Sequence, residues 1–149
     1  MLLARTCGIT YYSLLITASE ASQPVRPGLT PGMSYTSTEG RETASSIRAL
    51  GSGAPGVMLA DLAGTMERTA RRWLTEFCEE DEQSVGVYVC IERPAPFPDA
   101  EQITATAVLR EVEGRRYGFD VTAVNERGEP VASGTHERRI ILRQRFGQT

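Results

Sequence analysis

Three side chains in this chain have types and spacing that could support chemistry. Glu67 lies at the edge of the apolar side of a stretch with helical periodicity, where a carboxylate can accept a proton or attack an electrophile. His136 and Arg138 lie two residues apart in a strand-like run, so they share one face of it. Structural alternatives stay open: Glu67 could pair with Arg71, four residues further on, and His136 with Arg138 could be an ordinary surface pair.

The stretch that carries Glu67, residues 56–77, predicts one long amphipathic helix. At about 100° per residue, its apolar and small side chains fall on one arc, and most charged side chains point the other way. The arc comprises Met58, Leu59, Leu62, Ala63, Met66, Thr69, Ala70, Trp73, Leu74 and Phe77. A helix with such an arc needs a sheet or another helix to cover it.

Five β-rich runs predict the sheet that covers this arc. They are rich in Val, Ile, Thr, Tyr or Phe and are separated by Gly- or Pro-containing turns. The runs are residues 34–38, 84–93, 102–112, 115–125 and 131–146, and residues 42–50 are a short helix or an irregular segment. One long helix followed by an antiparallel meander predicts an α+β domain of the hotdog type. In this fold a curved antiparallel sheet of about five strands wraps a long central helix.

Composition sets limits on the function. The chain has 149 residues, of which 40% are hydrophobic and 23% charged, as expected for one globular domain. The net charge of -3 argues against a nucleic-acid surface, and no stretch approaches the roughly 20 apolar residues of a membrane span. Three cysteines without CxxC spacing, and a single histidine, predict neither a disulfide framework nor a metal site. No cofactor and a cytoplasmic location are expected.

The N-terminal residues differ from the rest of the chain. Residues 1–32 are interpreted as an extension or linker that ends in a Pro- and Gly-rich segment. A disordered tail is an alternative interpretation of these residues. The first residues are weakly similar to a secretory signal, and Met33 is an alternative start. The folded domain is predicted to span residues 33–149.

The sequence after this linker resembles a known family. Residues 104–142, TATAVLREVEGRRYGFDVTAVNERGEPVASGTHERRIIL, resemble the fluoroacetyl-CoA thioesterase-like branch of the hotdog thioesterases, above all in LREVEGRR and in SGTHER. GTMERTARR, residues 64–72, is similar to that family's Gly-Leu-Met-Glu helix, and Gly86 matches its strand glycine. The resemblance covers roughly residues 32–146.

The resemblance implies hydrolysis of an acyl thioester by a Thr, His and Glu constellation at a dimer interface. The glutamate corresponds to Glu67, and the strand arginine of GTHER corresponds to Arg138. The threonine position falls on Leu59, or on Ala60 with a different gap, and the histidine position falls on Arg93. Two of the three family catalytic positions are therefore altered.

The chemistry expected of the remaining groups starts from the thioester carbonyl. Backbone N–H groups of residues 57–59 and of Gly86 would stabilise its developing negative charge, as the resemblance implies. Glu67, or Asp61 as a weaker substitute, would deprotonate water or attack the carbonyl carbon. Arg93 cannot act as a general base, so it would bind a carboxylate or phosphate, or pair with Glu67.

The predicted function is hydrolysis of acyl-CoA or acyl-carrier-protein thioesters. Because two family positions are altered, two alternatives remain: hydration or conjugate addition on the acyl chain, and a non-catalytic acyl-binding module. The residues expected to contact substrate are Leu59, Gly86, Arg93, His136 and Arg138. A second copy of the chain is the expected partner, since the open sheet edge needs to be paired or covered.

Overall fold

The computed structural model describes residues 26–40, 59–94, 98 and 100–145. Its elements are β1 (Ser34–Gly40), α1 (Leu59–Thr75), β2 (Glu82–Glu92), β3 (Gln102–Glu113), β4 (Arg116–Asn125) and β5 (Pro130–Leu142). A 3-10 turn, Arg143–Arg145, follows β5, so the last strand ends earlier than the β-rich run suggests. The segment predicted at residues 42–50 lies outside the described residues.

The described strands form one antiparallel sheet with α1 packed against it. The strand order is β1-β3-β4-β5-β2, which makes β1 and β2 the outer strands. The helix contacts all five strands. The α+β prediction of a long helix against a curved five-stranded antiparallel sheet is confirmed.

The core lies between α1 and the inner face of the sheet. The buried helix residues are Leu62, Thr65, Met66, Thr69, Ala70, Trp73 and Leu74. Leu59 departs from the predicted arc because it is the first residue of α1, where 46% of it is exposed. Thr65 departs in the other direction, since its hydroxyl donates to the buried carboxylate of Glu39 at 3.1 Å. Residues 56–58 lie outside the described part of the chain.

The folded region starts earlier than residue 33. Leu29 belongs to the core and is only 1% exposed. Arg26 donates hydrogen bonds to the Phe77 carbonyl and to the Glu82 carboxylate, and the Gly32 N–H donates to the Leu109 carbonyl. The segment from Arg26 to Gly32 is thus held on the domain by one apolar anchor and an ion pair, although the domain is predicted to begin at residue 33.

None of the described helices is long and apolar enough to cross a membrane. The long helix α1 has 17 residues and is amphipathic, as its buried and exposed positions show. On its polar side Arg68 and Arg72 pair with Glu39 of the outer strand β1, and Glu67 pairs with Arg138 of β5.

Candidate active site

An open cleft of about 350 Å³ lies between α1 and the outer strand β2. Its lining residues are Glu67, Gly86, Val87, Tyr88, Val89 and His136. The helix supplies the carboxylate, β2 supplies the wall, and β5 supplies the histidine from below. The predicted meeting of Glu67, Gly86 and His136 is therefore what the structure shows.

Glu67 is held by Arg138 rather than by its neighbour on the helix. Oε1 of Glu67 accepts a hydrogen bond from Nη1 of Arg138 at 3.3 Å. The side chain of Glu67 is 47% exposed, so it is more open to solvent than the sequence suggests. The interpretation of Glu67 as a partner of Arg71 is not what the structure shows, because Glu67 forms its ion pair with Arg138 of β5.

Arg138 is buried, and each of its guanidinium nitrogens has a defined acceptor. Nε donates to the Ser84 hydroxyl at 3.1 Å, and Nη2 donates to the Ser84 carbonyl at 3.0 Å. Nη1 lies 3.3 Å from both Glu67 Oε1 and His136 Nε2. Burial lowers the pKa of Arg138, and the negative charge of Glu67 offsets only part of that effect. The site therefore keeps a positive charge at its base.

His136 is also buried, with 1% of the residue exposed. Its Nδ1 lies 2.7 Å from the Tyr88 carbonyl, and its ring stacks on Phe119 with 6.5 Å between the centroids. Burial lowers the pKa of His136, as does the charge of Arg138, so the neutral form is favoured. The prediction that His136 and Arg138 share a face is confirmed, and their interpretation as an ordinary surface pair is wrong.

Gly86 makes room for the carboxylate. A Cβ at this position would lie 2.9 Å from Glu67 Oε1 and 3.3 Å from His136 Cε1. The register with β5 shifts between Gly86 and Tyr88, so Val87 forms a bulge in the cleft wall. A glycine next to a bulge lets the strand pass close beneath Glu67 without a side chain in between.

Ser84 and Tyr88 are site residues that sequence reasoning missed. Ser84 lies two residues before Gly86 on the same strand, so the alternation of the strand places both on one face. That alternation identifies Ser84 as a neighbour of Gly86, whereas its contact with Arg138 depends on the register between β2 and β5. Tyr88 contributes its backbone carbonyl, for which its residue type carries no signal.

Asp61 is not brought to this cluster. It precedes Glu67 by six residues, which places it about 9 Å along the helix and about 120° around it. Its charge acts instead on Arg68, whose pKa it helps to raise after the larger effects of the Glu39 hydrogen bond and charge. The role of Asp61 as a substitute for Glu67 has no geometric support within one chain.

Leu59 and Arg93 also lie away from Glu67 in the same chain. Leu59 is two turns up the helix, about 12 Å along its axis. Arg93 follows Glu92, which pairs with Ser133, whereas Gly86 pairs with Arg138. Seven residues of strand place Arg93 roughly 20 Å from Gly86, so the geometry of one chain does not support the alternative in which Arg93 pairs with Glu67.

No group of three His, Cys, Asp or Glu side chains that could hold a metal ion occurs among the described residues. Cys78 and Cys90 are both free thiols. What the cluster offers is one half-exposed carboxylate, one buried guanidinium and one neutral imidazole around a cleft.

Comparison with known proteins assigns the family. Residues 42–144 match the family model FlK, described as fluoroacetyl-CoA-specific thioesterase. The chain belongs to the fluoroacetyl-CoA-specific thioesterase family. It is 36% identical over 85 residues to the fluoroacetyl-CoA thioesterase of Streptantibioticus cattleyicolor, a match over 57% of this chain and 60% of that relative. The match spans about three fifths of the relative's length.

Solved structures place this family member among the hotdog thioesterases. A variant of the thioesterase FlK in complex with fluoroacetate and CoA is 28% identical, with a TM-score of 0.68, and the match covers 80% of this chain and 100% of that chain. A hot-dog-like protein from Thermanaerovibrio acidaminovorans is 25% identical, with a TM-score of 0.63 and coverage of 80% and 94%. The predicted hotdog fold and the predicted branch of the superfamily are both confirmed.

Proposed function

We propose that this fluoroacetyl-CoA-specific thioesterase family member hydrolyses acyl-CoA thioesters in the Glu67 cleft. The observation that carries the proposal is the carboxylate of Glu67, anchored through one oxygen and facing an open cleft beside a bulged strand. In the reaction, water adds to the thioester carbonyl carbon and the C–S bond breaks. The products are the carboxylic acid and CoA, whose thiolate takes up the proton that water released.

Glu67 is the proposed general base. Arg138 holds Oε1, and the described residues give Oε2 no hydrogen-bond partner, so Oε2 can accept a proton from water. Attack by the same oxygen on the carbonyl carbon, through an anhydride, is the other route that a carboxylate allows. Both routes need the fixed carboxylate position that Arg138 and Gly86 provide.

The backbone of β2 is the proposed source of carbonyl stabilisation. The bulge at Val87 turns a piece of strand backbone toward the cleft, next to Gly86 and within reach of a group bound at Glu67. Backbone N–H groups held in this way stabilise an oxyanion without reorganisation. The N–H groups expected from residues 57 and 58 lie outside the described residues.

Leu59 and Arg93 motivate a second candidate function. If they occupy the family's threonine and histidine positions, the hydroxyl and imidazole of those positions are missing, and the side chain of Leu59 can neither donate nor accept a hydrogen bond. Hydration or conjugate addition on the acyl chain would need carbonyl polarisation but no cleavage of the thioester. A binding module for acyl groups would need neither reaction.

A second copy of the chain is the proposed partner, docked on β2. This strand is an outer strand of the sheet, and two of its apolar side chains are exposed beside the cleft: Val87 at 52% and Val89 at 42%. Pairing of β2 with its counterpart would bury these valines and complete the outer wall of each cleft. We expect a dimer mass in solution and a monomer for Val89→Glu; a monomeric wild-type protein would contradict the docking.

We also propose that acyl-carrier-protein thioesters are substrates and that the protein is cytoplasmic. The free thiols of Cys78 and Cys90 are compatible with a reducing compartment. Parallel assays with the same acyl group on CoA and on a carrier protein compare the two carriers. Activity on the CoA thioester alone would limit the proposal to acyl-CoA.

The deciding experiment measures free thiol released from saturated, unsaturated and short acyl-CoA thioesters, including fluoroacetyl-CoA. Wild type is compared with Glu67→Gln and with Glu76→Gln, a matched change at an exposed glutamate just beyond α1. Loss of the general base should lower kcat about 100- to 10,000-fold, and the Glu76 variant should retain wild-type activity. Thiol release that is unchanged in Glu67→Gln would refute the assignment.

Absence of release from the wild-type protein would exclude the hydrolase. Mass analysis of the recovered thioesters would then decide between the remaining functions. An unsaturated thioester recovered with an added water or nucleophile supports acyl-chain chemistry, and unchanged ligands that nevertheless bind support the binding module.

A further inference from the structure

His136 is the buried group that the proposed reaction does not use directly. Its ring lines the cleft, but its Nε2 is linked to Glu67 through Arg138, which contacts both. We propose that His136 is a positioning residue that holds Arg138, and through it Glu67, by accepting a hydrogen bond at Nε2. The inference rests on the proposed function and adds a residue to its machinery.

The tautomer of His136 follows from its two neighbours. The Tyr88 carbonyl can only accept a hydrogen bond, so Nδ1, at 2.7 Å, carries the proton. The neutral ring then leaves a lone pair on Nε2, and that lone pair faces Nη1 of Arg138 at 3.3 Å. The Tyr88 carbonyl thus sets the ring as an acceptor toward Arg138.

Arg138 Nη1 has two hydrogens and two acceptors. One hydrogen is directed to His136 Nε2 and the other to Glu67 Oε1, each over 3.3 Å. The remaining donors of the guanidinium are fixed on Ser84. Because the guanidinium is planar, the acceptor at His136 helps fix the direction in which Nη1 presents its second hydrogen to Glu67.

On balance the surroundings of His136 favour a neutral acceptor: burial and the charge of Arg138 lower its pKa and outweigh the opposing effects of the Tyr88 hydrogen bond and of the two glutamates. The charged groups that act on it are Arg138 and Glu137 from its own strand and Glu67 from α1, while β2 presents the Tyr88 carbonyl and β4 presents Phe119. A second proton on the ring would place an N–H against the Nη1 of a buried cation. The Nδ1–H tautomer is the form that satisfies both neighbours.

Two variants separate the two hydrogen bonds of His136. In His136→Gln the side-chain oxygen reaches the position of Nε2 and can accept from Arg138, but the donor to Tyr88 is lost. In His136→Asn the amide ends near Nδ1, so it can donate to Tyr88 but does not reach Arg138. The pair therefore compares the acceptor with the donor in side chains of similar polarity.

We expect kcat for acyl-CoA hydrolysis to fall about 10- to 100-fold in His136→Asn, because a carboxylate displaced by about 1 Å loses reactivity of this size. His136→Gln should stay within about threefold of wild type, and both variants should show KM values close to wild type. A more active Asn variant than Gln variant would overturn the inference. So would kcat losses in both variants that follow their losses of melting temperature.

A second measurement tests the tautomer without reference to activity. His136 is the single histidine of the chain, so nitrogen NMR of the imidazole gives one pair of signals. We expect a protonated Nδ1 and an unprotonated Nε2 at neutral pH. The opposite tautomer or an imidazolium would overturn the positioning role of His136 but not the proposed function. Failure of the wild-type protein to release thiol would instead overturn the proposed function, and the positioning role with it.

Discussion

Two ionic clusters on opposite sides of α1 differ in which charge is buried and which is exposed. On the β1 side, a buried carboxylate is held by half-exposed arginines: the side chain of Glu39 is 3% exposed, against 37% for Arg68 and 46% for Arg72. On the β2 side, a buried guanidinium is held by a half-exposed carboxylate, with 2% for Arg138 against 47% for Glu67. The carboxylate is thus buried in the first cluster and half-exposed to solvent in the second.

The two buried charges are also compensated differently. Burial raises the pKa of Glu39, but the hydrogen bonds and charges of Arg68 and Arg72, with the Thr65 hydroxyl, outweigh it and hold that pKa below 4.5. Arg138 has one carboxylate partner, and its other acceptors are neutral. The β1 cluster sets two arginines against one carboxylate, whereas the β2 cluster sets one guanidinium against one carboxylate and leaves that carboxylate half-exposed.

This difference fits a structural role for the Glu39 cluster and the proposed chemical role for the Glu67 cluster. A saturated buried carboxylate has no lone pair to offer a substrate, and it ties β1 to the helix. A buried cation beneath an open cleft favours the ionised form of the neighbouring Glu67 carboxylate. The same residue types thus form two clusters in which the acid and the arginines exchange burial.

The largest expected effect is the loss of stability when the arginine partners of Glu39 are removed. The double variant Arg68→Gln, Arg72→Gln leaves a buried carboxylate with a hydroxyl as its remaining partner in the cluster. Breaking a buried pair in this way costs about 3–5 kcal/mol of unfolding free energy. Denaturant unfolding measures the loss, while kcat per folded molecule should stay close to wild type.

Arg71→Gln is the matched control for this variant. Arg71 is exposed on the same helix, so its substitution should change the unfolding free energy by less than about 0.5 kcal/mol. A loss as small as this in the double variant would mean that the Glu39 cluster is not the structural counterpart of the site.

The hydrophobic pattern was sufficient to predict the fold. The helical period of residues 56–77 and the alternation of Ile103, Ala105, Ala107 and Leu109 both reflect burial on one face, which depends on residue type alone. These four alternating residues of β3 are indeed buried. The position of Leu29 could not be predicted, because an apolar residue in a Pro- and Gly-rich segment has no periodicity from which to infer burial.

The site could be predicted only in part. Glu67, Gly86, His136 and Arg138 were identified from the family resemblance and from strand alternation, and the structure brings them together. The role of Ser84 depends on the register between β2 and β5, which joins residues 54 positions apart. Such pairings are set by tertiary packing and cannot be obtained from local patterns.

A smaller effect is expected from filling the space that Gly86 leaves beside the Glu67 carboxylate. In Gly86→Ala the new Cβ would meet Glu67 Oε1 at 2.9 Å, so the carboxylate must move. We expect kcat for thiol release to fall roughly 10- to 100-fold, with a change in melting temperature of only a few degrees.

Gly40→Ala is the control, because a Cβ at Gly40 meets no atom within 4 Å and the residue lies next to Glu39 in β1. Its kcat should match wild type. Equal losses of kcat in both variants would show that crowding of Glu67 is not the cause, and the contrast between the two carboxylates would lose its functional meaning.

The smallest expected effect is a difference in how the two clusters change the unfolding free energy with pH. The pKa of His136 is lowered from 6.5 in the folded protein, so its contribution to stability is complete above that value and is lost as the pH falls through the lowered pKa. The pKa of Glu39 is lowered from 4.5, so its contribution persists until the pH falls below 4.5. Between about pH 7 and pH 5, wild type should therefore lose on the order of 1 kcal/mol of unfolding free energy that His136→Gln does not lose. Denaturant unfolding across this range makes the comparison, and parallel curves for the two proteins would show that His136 is not held as a neutral group beside Arg138.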